Sequence, residues 1–278
     1  MKGAIVLCLL LLPLASARPN DDSWWQEDRE TIHKTFHVAA GENVSKLISD
    51  QINGPIRVTG TSGSEVEIMV EKRIRAEMKS DLDDARREVK LDITQNGNEV
   101  KLYEDNPGRH GDGWHRRHYS VVFECDVKVP TGAALDLQTM NGAIEVRNVA
   151  GDYKVHTMNG KVDMDEIGGA GPVETMNGSV HVAFSRNPAR ESSFHTMNGS
   201  VDVYFHSEPD ADFTIETMHG GVYADFDVTT MPSTVKGEIS SNRVVYRTGG
   251  TMHVRAGKGG PQISLHTMNG SIHLHSKS

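Results

Sequence analysis

The chain has 278 residues and a formal charge of −9, which argues against a nucleic-acid-binding surface, because such domains are basic. Hydrophobic residues make up 37% and charged residues 24%, so the chain is neither disordered nor membrane-embedded throughout. With 6% aromatic residues against 27 glycines, a thin aliphatic core is expected.

Residues 1–17 read as a secretory signal peptide. Lys2 precedes an apolar run from Ala4 to Leu14, and Ala15-Ser16-Ala17 supplies a small-x-small cleavage site. The run is too short for a transmembrane helix, and no later segment reaches spanning length. An exported protein is expected: periplasmic, cell-surface or secreted. Residues 18–34, with Trp24 and Trp25, read as a lead-in or linker.

From residue 35 onward, β-branched Val and Ile prevail over Leu and alternate with polar residues, as in Val66-Glu67-Ile68-Met69-Val70 and Val100-Lys101-Leu102. That period of two predicts strands. One short helix is expected over 80–91. Ser80 is placed as its cap, Asp81, Asp83 and Asp84 in its first turn, and Arg86, Arg87 and Lys90 toward its end. The loop 106–119 gathers Arg109, Trp114, Arg116 and Arg117, charge and ring together, and is a candidate site for an anionic ligand. Cys125, the single cysteine left after cleavage, falls in phase with Phe123, Val127 and Val129 and reads as a core residue.

Residues 131–278 carry a repeat. Thr-Met-Asn-Gly occurs at 139–142, 157–160, 175–178, 196–199 and 267–270, with Thr217-Met218-His219-Gly220 as a variant. Successive Thr positions are 18, 18, 21, 21 and 50 residues apart. Thr251-Met252-His253, Ile52-Asn53-Gly54 and Thr94-Gln95-Asn96-Gly97 look like divergent copies, so 35–130 reads as divergent early repeats of one domain spanning 35–278. The apolar alternation changes phase across each Asn-Gly, which predicts a bend there, because both residues tolerate positive φ.

Two architectures satisfy this pattern. In a right-handed single-stranded β-solenoid (β-helix), equivalent residues stack into ladders, with Asn141, Asn159, Asn177, Asn198 and Asn269 in one line. In an antiparallel β-meander, each Asn-Gly is a hairpin turn. A hairpin needs Asn-Gly but not the Thr-Met before it, whereas a ladder rewards identity, so the solenoid is the reading adopted. The expected differences between 18- and 21-residue repeats lie around Arg186-Asn187-Pro188 and Ser207-Glu208-Pro209, where Pro interrupts the strand pattern.

The segments Phe36-His37-Val38, Ile52-Asn53-Gly54-Pro55-Ile56-Arg57-Val58, Val127-Lys128-Val129-Pro130-Thr131-Gly132, the Thr-Met-Asn-Gly series and Gly257-Lys258-Gly259-Gly260-Pro261 resemble the bacterial β-strand-repeat domain-of-unknown-function family labelled "putative adhesin". The resemblance implies a right-handed β-solenoid, export and an envelope role. It carries no catalytic residues.

The expected function is that of a non-enzymatic structural or adhesin-like interaction module of the cell envelope. Its partner would be an envelope protein or a polysaccharide, with no nucleic acid and no cofactor. A first alternative is an enzyme acting on envelope polysaccharide, whose carboxylates would be sought among residues such as Asp163, Asp165 and Glu166. A second is metal binding by a His/Met edge formed by His156, His195 and His266 with Met158, Met197 and Met268, and His273 and His275 share a strand face.

Overall fold

The computed structural model describes residues 26–37, 46–110, 118–231 and 251–277. The expected signal peptide lies outside the described residues, as do Trp114, Arg116 and Arg117 of the candidate loop. The chain is all-β with one α-helix among the described residues, and its strands form two large mixed sheets with no closed barrel.

The repeats explain how one chain makes both sheets. Strands β8 (Ala134–Asn141), β10 (Tyr153–Asn159), β12 (Pro172–Asn177) and β14 (Ser192–Asn198) end at the repeated Asn. Their continuations, β9 (Ile144–Arg147), β11 (Val162–Ile167), β13 (Val180–Phe184) and β15 (Val201–Phe205), lie in the other sheet. Each Asn-Gly thus carries the chain from one sheet to the other, and each such pair of strands makes one rung. Successive rungs pair in parallel and in register, Thr157 with Thr175 and Asn159 with Asn177. The hairpin meander is therefore excluded for the repeat. The 18- and 21-residue repeats differ at the return connection, which is 168–171 after β11 but 185–191, with Pro188, after β13.

The strands before the repeat are less regular, which corrects the expectation of a simple single-stranded helix. Strands β2 (Lys46–Asn53) and β3 (Ile56–Thr61) do form a rung, with Asn53 opposite Asn141. Strands β1 (Gln26–His37), β4 (Glu65–Ala76) and β7 (Tyr119–Pro130) are long, and β4 pairs antiparallel with both of the others. The lead-in was expected to reach residue 34, yet strand begins at Gln26. Edge strand β1 carries the charged residues Glu27, Asp28, Arg29, Glu30 and Lys34, which discourage pairing with another chain. Thr94–Gly97 is not a repeat. Gly97-Asn98 turns the antiparallel hairpin of β5 (Lys90–Asn96) and β6 (Glu99–Asp105), with Gly97 at φ 56°.

Helix α1 (Lys79–Glu88) packs Leu82 and Ala85 inward. Ser80 is not its cap, because the helix starts one residue earlier. The Met78 N–H instead donates to Asp81 Oδ2 at 3.1 Å. The buried Lys72 ammonium donates to the Val89 carbonyl at 2.8 Å, which ties the helix end to β4.

The other end of the stack departs from chain order. The variant copy lies on β16 (Ala211–His219), followed by β17 (Val222–Ala224) and β18 (Val228–Thr230). The last true copy lies on β20 (Gln262–Asn269) and β21 (Ile272–Ser276). The sheet orders run β14-β20-β16 and β15-β21-β17. The C-terminal rung is therefore inserted between two rungs that precede it in sequence. Strand β19 (Met252–Ala256), the supposed copy at Thr251, instead pairs antiparallel with β16.

Between the sheets runs one continuous core of inward-phase residues. Cys125 belongs to it, as its phase predicts, and burial foremost pushes its thiol up to about 12. The core is less uniformly aliphatic than composition suggests. Phe184, Phe194, Phe205, Phe213 and Phe226 gather at the C-terminal end, with ring centroids about 6 Å apart. Edge and offset contacts of this kind add about 0.5–1.5 kcal/mol per pair beyond burial.

Candidate functional site: the Asn-Gly corner and two outward faces

Every residue of the tetrapeptide except Met has a partner in the adjoining rung. Thr157, Thr175, Thr196 and Thr267 are buried, and each hydroxyl donates to the Gly carbonyl of the adjoining rung at 2.8–2.9 Å. Each Asn side-chain amide donates to the Asn Oδ1 of the rung before it, from Asn141 onto Asn53 and on through Asn159, Asn177, Asn198 and Asn269, at 2.8–2.9 Å. Each Gly N–H donates in turn to the next Asn carbonyl, as from Gly160 to Asn177 at 3.0 Å.

The glycine is needed for a reason other than the one expected. Neither the motif Asn residues nor Gly142, Gly160 and Gly178 have positive φ. A Cβ on Gly160 would instead sit 2.0 Å from the Gly142 carbonyl oxygen, and one on Gly178 2.1 Å from that of Gly160. Close stacking of backbone on backbone fixes the residue.

The same accounting explains the rung order. Asn269 extends the amide line directly from Asn198, whereas His219 has no amide with which to extend it. The variant copy therefore closes the stack, and the true copy takes the inner place. Gly220 and Thr217 still follow the pattern against Gly270.

On the outward face of the sheet that ends at Asn, one row reads Gln138, His156, Glu174, His195, His266 and Glu216, each the register partner of the next. His156 faces Glu174 at 3.5 Å, and His195 and His266 lie ring to ring at 5.2 Å. Burial, and then the neighbouring His266, hold His195 below its ordinary 6.5. Met176, Met197 and Met218 are exposed in the adjacent row. Among the described residues, no three His, Cys, Asp or Glu side chains are placed to hold a metal ion.

The opposite sheet carries a second outward face near the C-terminal end. Tyr204 stacks on His275 at 4.4 Å and lies 5.0 Å from His181. Tyr223 lies 5.1 Å from His273. Asp202 holds His273 Nδ1 at 2.6 Å, and Asp225 holds His275 Nδ1 at 3.3 Å. Each carboxylate fixes the orientation of the ring it touches. Five rings thus share a surface on three successive rungs and the closing strand. The sequence reading noticed that His273 and His275 share a face but missed Tyr204, Tyr223 and His181. The missed signal was spacing from the corner: His181, Asp202 and His273 each lie four residues after the repeated Asn, and Tyr204 and His275 six.

Of the candidate anionic site, Arg109 alone is described. Its guanidinium makes two bonds to Asp50, at 2.7 and 3.1 Å, and lies 5.1 Å from the Tyr103 ring centre. It is committed to an internal ion pair. The carboxylates weighed for catalysis are likewise engaged: Asp163 faces Lys161 at 3.4 Å, Asp165 accepts the Glu166 N–H at 3.1 Å, and Glu166 faces Lys277 at 3.6 Å. At the other end of the molecule, a groove of about 410 Å³ is lined by His33, Arg57, Met69 and Lys128, among others. Arg57 and Lys128 are paired there with Asp126 and Glu67.

No family model matches the chain, and no curated protein matches it. Similar solved structures include a "putative cell adhesion protein" from Clostridium sporogenes, at 10% identity and a TM-score of 0.41, covering 91% of this chain and 100% of that one. Another is a "putative adhesin" from Bacteroides fragilis, at 11% identity and a TM-score of 0.38, covering 89% and 97%. A "putative lipid binding protein" from Parabacteroides distasonis is similar at 12% identity and a TM-score of 0.28, covering 88% and 96%.

Proposed function

We propose that this protein is an exported, non-enzymatic interaction module whose repeated rungs form a right-handed β-solenoid, and that it binds envelope polysaccharide on its ring-bearing face. The in-register parallel rungs support the solenoid, and the strong preference of parallel crossovers for the right hand supports its sense. Export rests on the sequence of residues 1–17.

The observation that carries the binding reading is the array His181, Tyr204, His275, His273 and Tyr223. Its rings lie on a sheet face rather than in a cleft, with Asp202 and Asp225 among them. Aromatic faces stack on the apolar faces of sugar rings, while carboxylates and imidazole nitrogens bond hydroxyls. An open surface of this kind suits an extended polymer rather than a small molecule, which buries most of its area in a concavity.

Affinity electrophoresis in gels containing bacterial cell-wall or exopolysaccharides tests this. Retardation by at least one such polymer is expected. Tyr204→Ala and Tyr223→Ala should each weaken it about 3- to 10-fold, the equivalent of about 0.5–1.5 kcal/mol per ring, with the melting temperature preserved. No retardation by any polymer, or equal retardation of the variants, would overturn the reading.

A further inference from the structure

The C-terminal rung is bonded on both edges, β20 between β14 and β16 and β21 between β15 and β17. The rung that precedes it in sequence, β16 with β17, forms no ladder with β14 or β15. The end of the stack is thus joined to the rest through a segment that follows both of its neighbours along the chain. We infer that this segment, Thr251–Lys277, exchanges between molecules: a second copy of the chain supplies the inserted rung, and reciprocal exchange gives a dimer.

Three observations lead there. The bonds that seat the rung are those of every other repeat. Asn269 donates to Asn198 at 2.8 Å, Thr267 to the Gly199 carbonyl at 2.9 Å, and Gly199 N–H to the Asn269 carbonyl at 3.0 Å. On the far side, Gly270 N–H donates to the His219 carbonyl and Thr217 to the Gly270 carbonyl, both at 3.0 Å. None of these bonds depends on which molecule supplies the strand, so the same recognition operates between copies as within one.

The second observation is chain order. One wall of the slot, 192–205, is laddered to the rungs before it, so during synthesis its open edge exists before its own insert does, whereas 211–224 ladders only with the inserted segment itself. The third is reach. Residues 232–250 connect Met231 to the exchanged segment, and nineteen residues span at most about 65 Å. Exchange of an identical element in this way requires no new interface. The inference is independent of the polysaccharide reading.

Full-length mature chains test it. Ser193 and Ser264 are register partners across β14 and β20. Parallel neighbours lie about 4.8 Å apart, within the window a disulfide accepts. One variant carries Ser193→Cys and a second, with a different tag, carries Ser264→Cys. They are unfolded together and refolded at about 1 mM, near the effective concentration of a tethered segment. A disulfide-linked species containing both tags is expected on a non-reducing gel. As a check on register, one chain carrying both substitutions should close within itself when refolded dilute. Exchange is overturned if no mixed species forms, or if Ser193→Cys links as readily to Lys258→Cys, an exposed position outside the rung. It is overturned equally if the double variant fails to close.

Discussion

Replacing Gly160 with alanine places a close approach of backbone on backbone under direct strain. The new Cβ would lie 2.0 Å from the Gly142 oxygen, 2.5 Å from its carbon and 2.9 Å from the Ala143 nitrogen, all backbone atoms that cannot swing aside. Ordinary contact would require the two rungs to part by more than 1 Å at that corner, given carbon contacts of about 3.5 Å. Three hydrogen bonds cross the gap: Gly142 N–H to Asn159 carbonyl at 3.0 Å, Thr157 hydroxyl to Gly142 carbonyl at 2.9 Å, and the Asn159 to Asn141 amide at 2.8 Å. At a net value of about 1 kcal/mol each, with about 1–2 kcal/mol for crowding, the loss is about 4–5 kcal/mol. Gly132 is the control, since a Cβ there meets nothing within 4 Å and its φ is not positive. Gly132→Ala should change stability by less than about 0.5 kcal/mol. Urea unfolding followed by circular dichroism compares the two, and equal midpoints for both variants would refute the stacked corner.

Four further outcomes are expected. Val180→Asp, which buries a carboxylate at a fully enclosed inward position, should cost several kcal/mol, whereas Ser179→Asp on the exposed neighbour should be near neutral; thermal melting separates them. Thr175→Val leaves the Gly160 carbonyl without its hydroxyl donor and should cost about 1–2 kcal/mol in the same urea assay. Because His195 in the folded chain titrates below 6.5, the unfolded chain takes up its proton first as pH falls. Stability should therefore decline below about pH 6.5, and His195→Gln should flatten that decline in melting curves across pH 4.5–7.5. N-terminal sequencing of the native protein should begin at Arg18, and a retained Lys2 would refute the signal peptide.

Phase and repetition were legible in the sequence because both are local. Val162, Val180 and Val201 alternate inward as their period of two demands, and identical tetrapeptides align because each bonds the next. Three features escaped. The place of β20 depends on comparing His219 with Asn269 as possible neighbours of Asn198, a choice between distant segments that spacing alone does not reveal. The long antiparallel strands β1, β4 and β7 alternate in the same way as parallel ones, so periodicity does not distinguish them. Thr94–Gly97 has the letters of a repeat, yet the adjoining strand β6 pairs back on β5 and makes a hairpin of it. The ring-bearing face was half visible, since its residues come from three repeats and the closing strand, and each repeat contributes only one or two.

The position of the last rung also bears on how the molecule would respond to force. At the far edge of the same sheet as β21, β1 pairs with a single neighbour, β4. A pull on Gln26 across the strand would peel that ladder one bond after another, at low tension. A pull on Lys277 meets strands bonded on both edges in both sheets, and β20 and β21 must shear from β14 and β15 before the end of the stack comes free. The two strand sets are thus mechanically unequal, and β20 and β21 would hold under loads that strip β1.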